Sequence, residues 1–379
     1  MSSCRDSLLA VNGRRLTTNR MAKKRGNMTS TGSVKLRFNA VDLFCGAGGL
    51  TCGFVRAGIR VVVGVDNDPT CRFPFEQNNP GARFVHRDVS ELCGQEVASW
   101  FPEGTIRILA GCAPCQPFSQ YTVREGNDNR WELLSHFLGL VGEVQPEIVS
   151  MENVPALKAK NHPAYRDFIF GLNELRYQIS ENVVRCRDYG VPQTRDRLVL
   201  LASLKAPIAM VPPTSPSAPT VRSAIGGLPP ITAGGESASG RDPLHIASGL
   251  SPRNLERIRA TPEGGSWRNW PKRLQLECHR RATGKWYGSV YGRMAWDEPA
   301  GTITTQCYGY GNGRFGHPEQ DRAISLREAA LLQTFPSDYQ FAPTGEIPRF
   351  LHIGRHIGNA VPVALAEAIG ASIMQCHAA

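Results

Sequence analysis

No apolar run in this 379-residue chain approaches the ~20 residues that a membrane-spanning helix needs, so no such helix is expected. A secretory start is lacking too, because the apolar stretch at 8–11, LLAV, is far too short. The 11 cysteines do not form a disulfide framework in a chain of this length, and without an export signal they read as reduced thiols. Cys112 and Cys115 make one CxxC, but no second CxxC completes a zinc centre, and no metal is expected. Nor does the chain contain an internal repeat.

What is present is an ordinary globular composition with unevenly placed positive charge. Hydrophobic residues make up 41% and charged residues 20%, so a sizeable core is within reach. The formal net charge is +10, and residues 1–33 carry seven Lys or Arg against one Asp with no apolar periodicity. That tail reads as a disordered leader or as sequence ahead of the true start, with Met21 and Met28 as alternative starts. From Val34 short apolar runs alternate with helical patterns. The strand-like runs are LRFNAVDLF, RVVVGVD, ARFVH, IRILAG, EIVSMEN, YQISENVVRC and DRLVLLAS, with helices near 49–57, 90–100, 131–144 and 162–175. Such alternation predicts an α/β domain, a doubly wound and mostly parallel sheet covered on both faces. The pattern breaks near 205, where Pro, Gly, Ser and Thr dominate up to 240. Residues 251–296 then hold ten Lys or Arg against three acidic residues, with four of the six tryptophans: Trp267, Trp270, Trp286 and Trp296. Helix returns at SLREAALLQTF and PVALAEAIGASIM.

Four motifs carry chemistry. VDLFCGAGGL at 41–50 runs a strand into a glycine turn and a helix, where backbone N–H groups can meet a ligand closely. Asp66 ends the next strand, 20 residues after Gly46, where an acidic side chain meets ribose hydroxyls in nucleotide-type sites. On these residues alone a NAD site, an adenosylmethionine site and a plain tight turn remain open. Asp88, after the third strand, is either a partner for an adenine amino group or a helix N-terminal turn residue. GCAPCQPFS at 111–119 follows a strand, and Pro114 before Cys115 makes an extended loop that suits a lone nucleophilic cysteine better than a redox pair. MENVP at 151–155 puts Glu152 at a strand end, the edge where α/β ligands bind. QTRDR at 193–197 sets Arg195 and Arg197 on one face of a strand, aimed at an anionic substrate if a thiol and a carboxylate lie beside them.

DLFCGAGG, PCQPFS, MENVP, QTRDR, SLREAALLQTFP and GNAVPV, in this order from about 37 to 375, resemble the motif set of the DNA cytosine C5-methyltransferases, in particular the bacterial type II modification enzymes. The resemblance implies a Rossmann-like adenosylmethionine-dependent methyltransferase fold with a smaller irregular target-recognition domain. It implies S-adenosyl-L-methionine as cofactor, held by Phe44, Gly46, Gly48, Gly49, Asp66, Asp88 and Asn359. Cys115 would be the nucleophile at carbon 6 of a flipped-out cytosine and Glu152 the acid at its N3, with Arg195 and Arg197 stabilising the bound base. Asn67 stands where some members carry a bulky side chain over the adenine, so Pro69 or Phe44 would support the cofactor instead.

The same resemblance divides the chain into a tail at 1–33, a catalytic and cofactor-binding domain at 34–204 and a target-recognition domain at 205–320. A hinge and helix at 321–350 and a C-terminal segment at 351–379, returning to the catalytic domain, complete it. The implied partner is double-stranded DNA, with Arg293, Thr305 and Arg314 either base or phosphate contacts or surface loop residues without a partner. A monomer in the bacterial cytoplasm, acting on the nucleoid beside a separate cognate restriction endonuclease, is the expected setting. The alternative on the same fold is a tRNA cytosine C5-methyltransferase. It usually carries a CFT-like tripeptide before the SLREAALLQTFP-type helix, and that tripeptide is not found here.

Overall fold

The computed structural model describes residues 38–114, 131–160, 162–237, 242–281, 284 and 286–376. Cys115 and the tail at 1–33 lie outside the described residues. Strand β1 (Phe38–Leu43) is buried at all six positions, as a strand covered on both faces must be. Its alternation sends Phe38 and Ala40 into a core shared with Leu50 and Phe54, while Val41 and Leu43 join Phe137 and Leu140 on the other face. The chain continues through α1 (Gly49–Arg56), β2 (Arg60–Asp66), α2 (Arg72–Asn78), β3 (Arg83–His86), α3 (Gly94–Ser99) and β4 (Ile106–Gly111). Next come α4 (Glu132–Val144), β5 (Ile148–Asn153), α5 (Ala156–Ala159), α6 (Pro163–Glu174), β6 (Gln178–Arg185) and β7 (Asp196–Ser203). All seven strand-like runs are strands; α2 and α5 are additions that apolar periodicity did not reveal.

The seven strands form one sheet in the order β3-β2-β1-β4-β5-β7-β6. β1 pairs in parallel with β2 and β4, β2 with β3, and β4 with β5. β7 alone runs antiparallel, against both β5 and β6. Its first residues therefore lie beside the last residues of β5, with Asn153 opposite Leu198. The carboxyl ends of the parallel strands and the amino end of β7 share one edge, where open α/β sheets bind ligands.

Beyond β7 regular structure thins to short helices: α7 (Val221–Ile225), α8 (Pro252–Arg259) and α9 (Glu277–Arg280). A core of Ile258, Trp267, Trp270, Leu274 and Tyr310 holds part of this irregular segment together. Helix α10 (Leu326–Leu332) begins with a capping box, since Ser325 accepts from the Glu328 amide and Glu328 accepts from the Ser325 amide. Glu328 is also the fully buried partner of Arg322, which donates to both carboxylate oxygens at 2.7 Å. The apolar stretch Phe350–Cys376 passes a membrane-span test by length and composition. It consists of α11 (Phe350–Asn359) and α12 (Val363–Cys376), two helices largely buried in the fold, and α12 packs along α1.

One buried acid stands out on β1. Asp42 is 1% exposed and accepts from the Thr51 hydroxyl at 2.7 Å, while its Oδ1 is buried without a hydrogen-bond partner. Burial, with Asp66 nearby, pushes its pKa up to about 7 against the opposing Thr51 bond. The folded chain thus holds this proton more tightly than the unfolded chain. Its contribution to stability is full below the ordinary carboxylate pKa and is lost as pH rises to about 7. Denaturant titrations across that window should show stability falling by on the order of a few kcal/mol from this group. Asp42→Asn should remove that part of the slope; an unchanged slope in the variant would assign it to other groups.

Candidate active site

A cleft of about 690 Å³ opens at this sheet edge, a size that suits a nucleotide-like ligand. Its wall includes Phe44, Gly46, Gly49, Asp66, Asp88, Glu152, Arg195, Arg197 and Asn359. Nine of the sequence-derived site residues therefore meet in one place, although they span more than 300 positions of chain. Cys112, Ala113 and Pro114 line it too, so the loop that leads to Cys115 runs along the wall. Gly48 is the exception. It caps α1 in the left-handed region at φ 90, and a side chain there would strike the Asn79 amide and the Tyr339 hydroxyl instead.

The turn after β1 is built by unusual backbone. Phe44 has φ 60, rare for a side chain of that size, and Gly46 follows at φ 53 with open space where its Cβ would be. The Gly46 amide donates to Asp66 Oδ2 at 2.9 Å, and the Asp68 amide donates to Asp66 Oδ1 at 2.9 Å. Asp66 thus ties the glycine turn to the loop after β2. Burial pushes its pKa up, with these two amide bonds opposing the shift. Asp88 caps a short turn by accepting from the Ser90 amide and hydroxyl, and it also lines the cleft. Burial opposes its ionisation, but Ser90 and the Asn67 amide at 3.3 Å hold its pKa below the usual range. Phe44 and Pro69 stand with Asn67 on the same wall.

The antiparallel β5/β7 pairing fixes the chemistry at the other end of the cleft. Arg197 Nε lies 2.8 Å from Glu152 Oε1, with the side chains 12% and 9% exposed. Burial pushes the Cys112 thiol well up, and the neighbouring Glu152 and Asp42 charges add to this. A thiol so held is a poor nucleophile. Arg195 is 4% exposed and donates to the Ile303 carbonyl at 3.1 Å and the Ala360 carbonyl at 3.4 Å. It bridges the irregular segment around Ile303 and the end of α11 as well as lining the cleft.

Two residues inside the motifs carry the framework and were passed over in the sequence. Asn153 donates to the Ala113 carbonyl at 3.1 Å and fixes the chain two residues ahead of Cys115. Gln193, fully buried, donates to the Leu332 carbonyl at 2.6 Å and to Gln333 Oε1 at 2.8 Å, and accepts from the Ile303 amide at 2.9 Å. Gln333 in turn donates to the Ile357 carbonyl at 2.6 Å. One glutamine pair thus fastens the sheet edge, the segment around Ile303, α10 and α11. No local pattern announces such a role; only the polar residue types hint at it.

The sequence reading of Arg293 as a DNA contact is corrected. Arg293 is 4% exposed, and its guanidinium donates to the Ile258, Thr261, His317 and Gln320 carbonyls and pairs with Asp321. Arg314 donates to the carbonyls of Gly264, Gly265 and Arg293. Both are spent on shaping loops that lack regular backbone pairing. Thr305 is half-buried, and its backbone packs directly beneath Gly358 of α11.

The profile of the C-5 cytosine-specific DNA methylase family matches residues 38–375. The chain belongs to this family. It is 52% identical over 336 residues to the type II methylase M.HgiDII of Herpetosiphon aurantiacus, covering 88% of this chain and 94% of that one. It is 31% identical over 345 residues to the type II methyltransferase M.Eco47II of Escherichia coli, covering 89% and 79%. Among solved structures, one assigned as a DNA modification methyltransferase encoded within an Escherichia coli prophage superposes with a TM-score of 0.70 at 26% identity, covering 90% and 100%. The family and these neighbours agree with the mostly parallel seven-stranded sheet. Within this methylase, Gln193→Ala should destabilise the fold by roughly 1–3 kcal/mol for each group left unpaired. Urea denaturation measures this, and an unchanged midpoint would deny the glutamine pair its fastening role.

Proposed function

We propose that this methylase transfers a methyl group from S-adenosyl-L-methionine to carbon 5 of a flipped-out cytosine within a short duplex DNA sequence. The observation that carries the reading is the convergence of Glu152, Arg195 and Arg197 with the glycine turn, Asp66, Asp88 and Asn359 on one cleft wall. The fit to the cofactor rests on the open cradle at Gly46 and on two buried wall atoms without a partner, Arg355 Nε and His356 Nδ1. Phe44, Gly46, Gly49, Asp66, Asp88 and Asn359 would hold it. Bound there, it supplies an activated methyl group.

The chain's own residues prepare the acceptor. Carbon 5 of cytosine is a weak nucleophile, so it must be enriched in electrons first. Cys115, which follows the wall residue Pro114, adds as thiolate to carbon 6, and the new S–C bond pushes the ring π electrons toward carbon 5 and N3. Glu152 holds a proton at N3 and so stabilises the enamine that results. Arg197 keeps the Glu152 carboxyl in place through the 2.8 Å contact. Once carbon 5 carries its methyl group, loss of the carbon 5 proton and cleavage of the S–C6 bond restore the aromatic ring and free the thiolate. Extrusion of the base costs a few kcal/mol of stacking and pairing, which contacts to the duplex must offset.

Those contacts belong in this proposal to the segment 205–320, as a target-recognition domain beside a catalytic domain at 34–204. Support comes from its exposed cations and from Trp286, 83% exposed, and Tyr287, 52% exposed. Exposed aromatics beside cations suit stacking on bases and neutralising phosphates. The reading extends to a monomer in the bacterial cytoplasm, acting on nucleoid DNA beside a separate cognate endonuclease.

The test is methyl transfer from S-adenosyl-L-methionine to unmethylated DNA, read by bisulfite sequencing. Wild-type protein should protect cytosines in one short motif, Cys115→Ser should protect none while retaining DNA binding, and Glu152→Gln should slow turnover by about 10²-fold or more. Turnover by Cys115→Ser comparable to wild type would overturn the nucleophile assignment. Methylation of tRNA alone would move the substrate to RNA.

A further inference from the structure

The loop that follows β2 is tied to α11 by a group of side chains that the mechanism leaves unused. Asp68 Oδ1 accepts from the Thr70 amide at 3.0 Å and the Thr70 hydroxyl at 2.6 Å. Asp68 Oδ2 accepts from Arg355 Nη2 at 2.6 Å, across 287 positions of chain. Thr70 Oγ1 and His356 Nε2 stand 2.9 Å apart, and His356 Nε2 lies 3.9 Å from Asp68 Oδ2. His356, with Thr70 and Arg355, holds the Asp68 carboxyl well below the usual carboxylate range. The arrangement is continuous with the cofactor cradle, because the Asp68 amide is one of the two donors to Asp66. Asp66, Asp68, Arg355, His356 and Asn359 all line the cleft.

Asp68, Cys71 and His356 also bring ligand atoms within 4.8 Å of one another. A metal reading fits them poorly. Both Asp68 oxygens already accept charged or hydroxyl donors, and burial pushes the Cys71 thiol far from the thiolate that a metal requires.

We propose that Asp68 and Arg355, supported by Thr70 and His356, form a latch that joins two chain segments of the cofactor cleft and sets affinity for S-adenosyl-L-methionine. The inference rests on the proposed use of that cofactor. Residues 44–71 and 355–361 supply two of the segments that line the cleft, so a ligand meets both only while they are held in register. The latch joins them with a charge-assisted hydrogen bond, the strong kind, in a half-buried setting. Elsewhere the loop after β2 is held by the His86 ring at the Asn67 carbonyl, 3.1 Å, by the Asn67 bond to Asp88 at 3.3 Å and by the packing of Cys71, none of which reaches α11. The loop is a short turn whose acceptors are Asp66 and Asp68 themselves. Opening the latch frees the loop, and the cofactor must then order it again on binding, which weakens affinity without touching the reacting atoms. Asp68 and Arg355 are therefore positioning residues.

The experiment is calorimetric titration with S-adenosyl-L-methionine and with S-adenosyl-L-homocysteine, alongside steady-state methylation kinetics. Arg355→Ala and Asp68→Asn should each raise Kd for both ligands about fivefold or more. KM for the cofactor should rise with it, while kcat changes by less than about twofold. Arg355→Lys should recover part of the loss. The charge-exchanged pair Asp68→Arg with Arg355→Asp should bind more tightly than either single exchange. Single variants that bind as wild type would overturn the latch. So would a loss of affinity that falls equally on kcat and is not relieved by the lysine or the exchanged pair, because that pattern marks a general structural role. Failure of the wild-type protein to bind either ligand would refute the cofactor assignment instead, a distinguishable result.

Discussion

The site depends on one strand running the wrong way. Had β7 been parallel like the other partner of β5, its first residues would lie at the far edge of the sheet, some six residues or about 20 Å from Glu152. Antiparallel pairing brings the start of β7 to the end of β5, and Arg197 meets the Glu152 carboxyl at 2.8 Å. The two charges are almost fully withdrawn from water, a state that is costly for either alone and tolerable only for the pair. The meeting of Arg197 with Glu152 and their shared burial follow from that register. Burial also keeps Cys112 protonated beside them, so the neighbouring thiol does not compete as nucleophile.

Around this pair the chain uses polar groups to do what an apolar core cannot. The sheet is packed on both faces by aliphatic and aromatic side chains, which specify layers but not the relation of distant loops. The buried glutamines Gln193 and Gln333 supply that relation, as do Arg195 and Asn153. These residues join segments separated by up to 165 positions. A buried polar group is destabilising unless all its partners are met, so these links tolerate few alternative arrangements. The irregular segment after β7 follows the same rule, with Arg293 and Arg314 gathering carbonyls of its loops.

Much of this was legible in the sequence, and the reasons differ by element. All seven strands could be read because a doubly covered sheet leaves long apolar runs of β-branched residues, as in RVVVGVD and DRLVLLAS. The direction of β7 could not, because periodicity reports which face is buried and carries no information on the neighbour's polarity. Glu152, Arg197, Asp66 and Asn359 were found through their motif context and do share a cleft. Arg293 was misread because a cation in an irregular basic segment looks the same whether it faces solvent or closes a loop. Gln193 and Arg355 were missed for the complementary reason. Their partners lie more than 100 positions away, and nothing local distinguishes them from solvated side chains.

The most direct measurement of the central claim is capture of the covalent adduct. Fluorine at carbon 5 of the target cytosine blocks the final proton loss, so the S–C6 bond cannot break after methylation. Incubated with S-adenosyl-L-methionine and a duplex bearing 5-fluorocytosine in its target sequence, the protein should become covalently joined to the DNA. Peptide mapping by mass spectrometry should place the link on Cys115. Linkage at another cysteine, or firm DNA binding with no covalent product, would contradict the assignment of Cys115 as the nucleophile of this site.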